Sequence, residues 1–269
     1  MSVEHLKGRT ALVTGSVQGI GLAIALKLAE AGCRIGVHGL ASPEERDLAV
    51  AKVIEAGAPE ARFFDADMRD PDAIGAMMDA AEEWGGVDVL VNNAGIQQTA
   101  SIENVPRETW DAILAVNLSG AFHAMQKVLP KMAARGYGRV VNIASVHGLV
   151  ASVNKAPYVA AKFGLVGLSR VAALEYAAAG SKRSGGVTVN CICPGWTETA
   201  LIQPQIQARA AEFGGDRDQG IASLLAEKQP TRRTSDPSEI GEAVLWLTSP
   251  VAHNITGISL PIDGGWTAQ

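Results

Sequence analysis

"TALVTGSVQGIGLAIALKLAE", residues 10–30, begins as a short apolar run, turns through three glycines and continues as an apolar helical pattern. Gly15, Gly19 and Gly21 fall between strand and helix, where glycine permits positive φ and close backbone approach. The free N–H groups at such a helix start can hold a pyrophosphate. The spacing is GxxxGxG, not the GxGxxG of the common dinucleotide fingerprint. Read alone, it serves equally as a tight βα turn.

The same alternation repeats along the chain. Strand-like runs at 34–39, 61–67, 87–95, 138–145, 187–195 and 258–265 alternate with helical patterns at 43–56, 71–84, 107–133, 157–179 and 237–248. Runs that are apolar throughout are buried on both faces, so the pattern predicts an α/β fold with a doubly wound parallel sheet and helices on each side. Ligands of such sheets bind at the carboxyl ends of the strands. No repeat or linker divides the chain, so residues 1–269 are expected to form one domain. Residues 197–234 break the rhythm with two helical pieces around "EFGGDRDQG" and read as a small helical lid or a plain surface excursion. Gly214, Gly215 and Gly220 are expected to ease its movement.

Of the 269 residues, 47% are hydrophobic and 19% charged, ample for a large core, and the formal net charge is −5. That balance gives nothing to attract nucleic acid or an anionic membrane. The opening "MSVEHLKGR" lacks the apolar segment of a signal peptide and no run approaches the ~20 apolar residues of a membrane span, so a soluble protein not exported by that route is expected. Cys33, Cys191 and Cys193 read as reduced thiols of a cytoplasmic protein, and the scattered histidines give no metal site.

A second stretch, "SVHGLVASVNKAPYVAAK" (145–162), gathers proton-handling groups. Tyr158 and Lys162 are four apart on a predicted helix and share a face. A nearby ammonium stabilises a phenolate and is expected to lower the tyrosine pKa from about 10, so the pair can exchange a proton with an alcohol or carbonyl. Ser145 ends a strand and can hydrogen-bond the same oxygen. Asn117, in "AVNLSG", is an amide inside a helix and invites an explanation. "NNAG" (92–95) is another small-residue turn. Where an acid commonly holds the adenosine ribose of NAD, the second strand ends in His38-Gly39-Leu40; Arg46 is the nearest arginine, and this site leaves NAD and NADP open. Asp67 reads either as a contact to adenine or as a helix N-terminal acid. His147, Lys155 and Gln97 can all donate hydrogen bonds beside the reacting oxygen, an arrangement suited to a carboxylate.

"TGSVQGIG", "NNAG", Asn117, Ser145 and "YVAAK", in that order, resemble the short-chain dehydrogenase/reductase family over the whole chain. The resemblance implies a Rossmann-type fold, a hydride-transferring oxidoreductase, NAD as cofactor and a homotetramer built on the long helices and the last strand. It makes Tyr158 the general acid/base, and Lys162 the group that lowers its pKa and holds the nicotinamide ribose. Ser145 would polarise the substrate oxygen, and Asn117 would hold a water. Gly15, Gly19, Ile20, Gly21, Asp67, Asn93, Gly95 and Pro194 match its cofactor-binding positions. "NNAGIQQTASIE", "CICPGWTET", "AEKQP" and "DGGWTAQ" resemble its bacterial D-3-hydroxybutyrate dehydrogenase branch. There the matches to Gln97, His147, Lys155 and Gln205 hold a carboxylate, and those to Trp196 and Trp266 contact a methyl end. The alternatives are a reductase of 3-oxoacyl thioesters or sugars and a cofactor-sensing binding protein. "SKRSGG" (181–186) is expected to be a surface loop, and Pro157 a tolerated first-turn proline.

Overall fold

The expected strands form in a computed structural model of the chain, which describes residues 5–268. β1 (Thr10–Val13), β2 (Arg34–His38), β3 (Ala61–Phe64), β4 (Val89–Asn92), β5 (Tyr137–Ile143), β6 (Gly186–Pro194) and β7 (Ser259–Ile262) make one sheet in the order β3-β2-β1-β4-β5-β6-β7. Every neighbouring pair is parallel. The order reverses between β1 and β4, and there the carboxyl edge opens into a crevice.

Successive strand residues serve opposite faces, so the sheet builds two cores. Val13, Val89, Val91 and Val141 pack with Ile24 and Leu28 of α1 (Gly19–Glu30), Val53 of α2 (Pro43–Glu55) and Val244 of the last helix, Pro237–Thr248. Leu12, Leu90 and Val140 pack on the other face with Ile74 and Met78 of α3 (Pro71–Gly85) and with Val128 and Met132. Burial of this apolar area supplies most of the stability. Among the described residues, no helix is long and apolar enough to cross a membrane.

The predicted helix at 107–133 is α4 (Arg107–Leu114) and α5 (Gly120–Arg135), joined by a π turn over Ala115–Ser119. The wider turn is what accommodates Asn117 within a helical run. α6 (Ala156–Tyr176) starts with Pro157 in its first turn, as expected, and "SKRSGG" forms an exposed turn that the buried Arg139 holds through the Gly185 and Gly186 carbonyls.

Residues 197–234 carry α7 (Gln203–Ala211) and α8 (Arg217–Lys228), packed on one another; the final helix is α9. The base of this excursion is pinned where Glu198 N–H donates to Ser235 O and Ser235 N–H to Trp196 O, at 3.0 and 2.8 Å. Gly214 and Gly215 have φ of +67° and +93° in open space, as a flexible joint requires. Gly220 does not belong with them. It lies within α8, where a Cβ would sit 2.8 Å from the Ala210 nitrogen, so it permits the two helices to touch.

His38 closes the edge at β2. Its Nδ1 accepts from Gly15 N–H and its Nε2 donates to Ala66 O, both at 3.0 Å, while Ser16 Oγ accepts from its own N–H. Burial keeps this imidazole neutral by lowering its pKa. His38→Leu leaves two buried groups unpaired and is expected to cost about 2–3 kcal/mol in denaturant unfolding. His38→Asn, whose Oδ1 replaces Nδ1, should lose roughly half of that. Equal losses would assign the effect to packing.

Candidate active site

The carboxyl ends of the strands and the 197–234 excursion enclose a cavity of about 740 Å³. Of the catalytic, cofactor-binding and substrate-binding residues expected from the sequence, all except Asn117 line it. The volume lies within the range of small-molecule and cofactor sites.

One end is the glycine turn. Gly15 and Gly19 have φ of +64° and +58°, and a Cβ on Gly21 would lie 2.2 Å from Gly15 O, so α1 can start this close to β1 only with glycine there. Asn93 Nδ2 holds the turn through Thr14 O and Gly15 O at 2.9 and 3.0 Å. Ile20, Gly95 and Pro194 complete this part of the wall.

Asp67 is on the cavity wall, but it is not the acid that starts α3. Asp70 caps that helix by accepting from Asp72 and Ala73 N–H. The Arg69 guanidinium holds the Asp67 carboxylate in two contacts at 3.0 Å and keeps its pKa below the usual range. Arg46 is also engaged, with Asp65 at 3.1 Å, Ala41 O and the Phe63 ring. Both arginines near this end therefore have acidic partners already.

In the middle, α6 presents Tyr158 and Lys162 on one buried face, as the spacing predicts. Ser145 follows β5, accepts from His147 N–H through Oγ and is hydrogen-bonded to Tyr158. Lys162 Nζ donates to Ile143 O at 2.8 Å and stands 5.7 Å from the centre of the Tyr158 ring. Burial is the first influence on the Tyr158 pKa. Burial raises it, with the Ser145 hydrogen bond as a partial offset, and burial brings Lys162 down to about 8. The Asn117 amide clamps the backbone of Ile96. Its side chain accepts from Ile96 N–H and donates to Ile96 O, at 2.8 and 2.9 Å, which fixes the loop after "NNAG".

At the far end Asn154 takes a left-handed φ of 63°, and its carbonyl accepts from Ala100 N–H, turning Lys155 towards the cavity. Lys155 Nζ donates to Gln205 Oε1 at 3.3 Å and lies 5.4 Å from the Trp196 ring centre. Trp196 stacks on Trp266 at 6.2 Å, and His147 meets Trp266 edge-on at 5.4 Å. Gln97 is half-buried on the same wall. Burial and then the Lys155 charge hold His147 down to about 4, so its ring is neutral. Its Nδ1 faces Val150 O at 3.3 Å and in the neutral ring donates there, which leaves Nε2 an acceptor. Lys155 is brought down to about 8 by burial and then by Lys228. Lys228 was missed, because nothing in "AEKQP" separates it from a solvated lysine at a helix end.

The short chain dehydrogenase family model matches residues 9–210. A D-beta-hydroxybutyrate dehydrogenase of Cupriavidus necator is 46% identical over 98% of this chain and 100% of that protein. Another, from Rhizobium meliloti, is 44% identical over 97% and 99%. The crystal structure of a putative gluconate dehydrogenase from Agrobacterium tumefaciens superposes with a TM-score of 0.87 at 31% identity, covering 100% of both chains.

The Lys155 charge gives this pocket a pH signature. Affinity for a small monocarboxylate such as butyrate, read by calorimetry, should fall as pH rises through about 8, approaching tenfold per unit while the protonated lysine is required. Lys155→Met should bind weakly with no such dependence.

Proposed function

The chain belongs to the short-chain dehydrogenase family, and from that premise we propose that it interconverts (R)-3-hydroxybutyrate and acetoacetate with NAD. The observation that carries the substrate is the meeting of Lys155, Gln205, His147 and two tryptophans one helical turn from Tyr158, a charged and an apolar subsite beside a proton donor. A thioester or a sugar would leave the Lys155 charge without a partner.

The residues present fit a dinucleotide: the Gly21 contact leaves no room for a Cβ, and the cavity runs unbroken from that turn to Tyr158. Gly15, Gly19, Ile20 and Gly21 would hold the pyrophosphate, Asp67 the adenine, and Asn93, Gly95, Lys162 and Pro194 the nicotinamide half. Pairing of Arg46 and Arg69 with their own acids favours NAD over a cofactor with a 2′-phosphate. When bound, NAD accepts the hydride released at C3.

The substrate carboxylate would bind Lys155, Gln205 and Gln97, with His147 joining as a donor after taking up a proton. Trp196 and Trp266 would take the methyl end. Ser145 would donate to the substrate oxygen and Tyr158 would exchange the hydroxyl proton. Burial of Tyr158 favours its protonated phenol, with the Ser145 hydrogen bond as a partial offset. The 197–234 segment would act as a lid that excludes water, bending at Gly214 and Gly215. Exposed Phe122, Phe163, Val171 and Leu174 on α5 and α6 support assembly as a homotetramer, and three buried, unbridged thiols suit a cytoplasmic protein.

NADH absorbance with (R)-3-hydroxybutyrate should show turnover absent with the (S)-isomer and weak with NADP. Tyr158→Phe should lower kcat by roughly 10²–10⁴-fold, and Lys155→Ala should raise KM. Reduction of a 3-oxoacyl thioester without turnover of the free acid would sink the substrate assignment. Cofactor binding without any turnover would favour a cofactor-sensing protein.

A further inference from the structure

Cations around the cavity and its covering helices mostly carry acids. Arg46 pairs with Asp65, Arg69 with Asp67, and Arg209 with Glu212 and Glu227. Lys155, Lys162 and Lys228 differ, because none forms an ion pair among the described residues; Lys162 is held by the Ile143 carbonyl beside Tyr158, which leaves Lys155 and Lys228 at the far end. Lys228, at the end of α8, donates from Nζ to Ser152 Oγ at 2.8 Å and lies 5.3 Å from the Trp266 ring centre. Lys155 has the matching position over Trp196, and the two indoles are stacked within 24° of parallel.

Four chain segments converge to make this arrangement: the 147–155 loop, the turn after β6, the end of α8 and the C-terminal turn. Neutral hydrogen bonds and indole faces localise an ammonium but leave its charge uncompensated. Two such charges side by side repel, and each also opposes protonation of His147. An anion in the cavity beside Lys155 would offset that repulsion and favour the protonated imidazole.

We propose that Lys228 is a specificity-determining residue of this site, a second cation through which the pocket selects substrates that carry a carboxylate. The proposal rests on the reading that the far end of the cavity takes a carboxylate. Lys228 does not line the cavity and acts from behind Trp266, so it is a positioning residue, not a catalytic one. Its charge adds to the field at the carboxylate, and its bond to Ser152 fixes the loop that carries Lys155. The charged and titratable groups facing Lys155 are His147 from the turn after β5 and Lys228 from α8; α7 contributes the Gln205 amide, and the turn after β6 contributes an indole.

The test titrates butyrate and butyramide into NAD-loaded wild type, Lys228→Gln and Lys228→Arg, reading tryptophan fluorescence. Lys228→Gln should weaken butyrate about tenfold at pH 7, the scale of one ammonium at intermediate dielectric, and leave butyramide unchanged. Lys228→Arg should restore most of the loss. With its like-charged neighbour gone, Lys155 should hold its proton longer, so the alkaline fall in butyrate affinity should move to higher pH in Lys228→Gln. A merely structural role would not move that profile. With (R)-3-hydroxybutyrate the same variant should raise KM about tenfold and keep kcat within about twofold.

Equal weakening of butyrate and butyramide, or unchanged butyrate affinity, would overturn the proposal. Selective loss of butyrate binding in a protein that fails to oxidise (R)-3-hydroxybutyrate would uphold it and reject the substrate reading instead.

Discussion

Asn93 Nδ2 donates to the carbonyls of Thr14 and Gly15, and the rest of the carboxyl edge depends on that tie. Asn93 follows β4 and the carbonyls follow β1, the two strands between which the sheet order reverses. Parallel strands covered by helices on both faces leave only their ends open, and adjacent loops must there diverge to opposite sides. The tie fixes one lip of the crevice, and Gly21 lets α1 begin directly against it. His38 anchors the same turn from β2, and the Asn117 clamp on Ile96 steadies the loop beyond β4. A helix N-terminus, two strand ends and a π turn thus converge before any ligand is considered.

Burial then sets the protonation of the groups along the crevice. Tyr158 is pushed up, Lys155 and Lys162 are brought down to about 8, and His147 to about 4. All four shifts favour the uncharged form, as desolvation requires. A negatively charged ligand reverses that balance at the far end, because it stabilises the protonated lysine and imidazole. The proposed substrate would therefore assemble part of its own binding charge on entering. Lys228 sharpens the effect by making the empty arrangement electrostatically unfavourable.

The doubly wound sheet was legible because apolar strand runs and 3.6-residue helical patterns alternate without interruption, and helix boundaries agree closely because Ser42, Asp70 and Asp236 cap their helices in the usual way. The same local logic left Asp67 open, since two aspartates three residues apart look alike as caps and only the backbone geometry selects Asp70. Gly220 looked like Gly214 and Gly215 until its neighbour Ala210 was known.

By itself the sequence determined the fold, the facing of Tyr158 and Lys162 and the small-residue turns at the strand ends, because all of these follow from periodicity and glycine sterics within one segment. Only the tertiary structure decided the burial of Tyr158 and His147, the pairing of Arg69 with Asp67, the contact of Asn117 with Ile96 and the place of Lys228 beside Lys155. Burial depth and the distance between charges on separate segments control those properties, and neither is encoded in the spacing of residues along the chain.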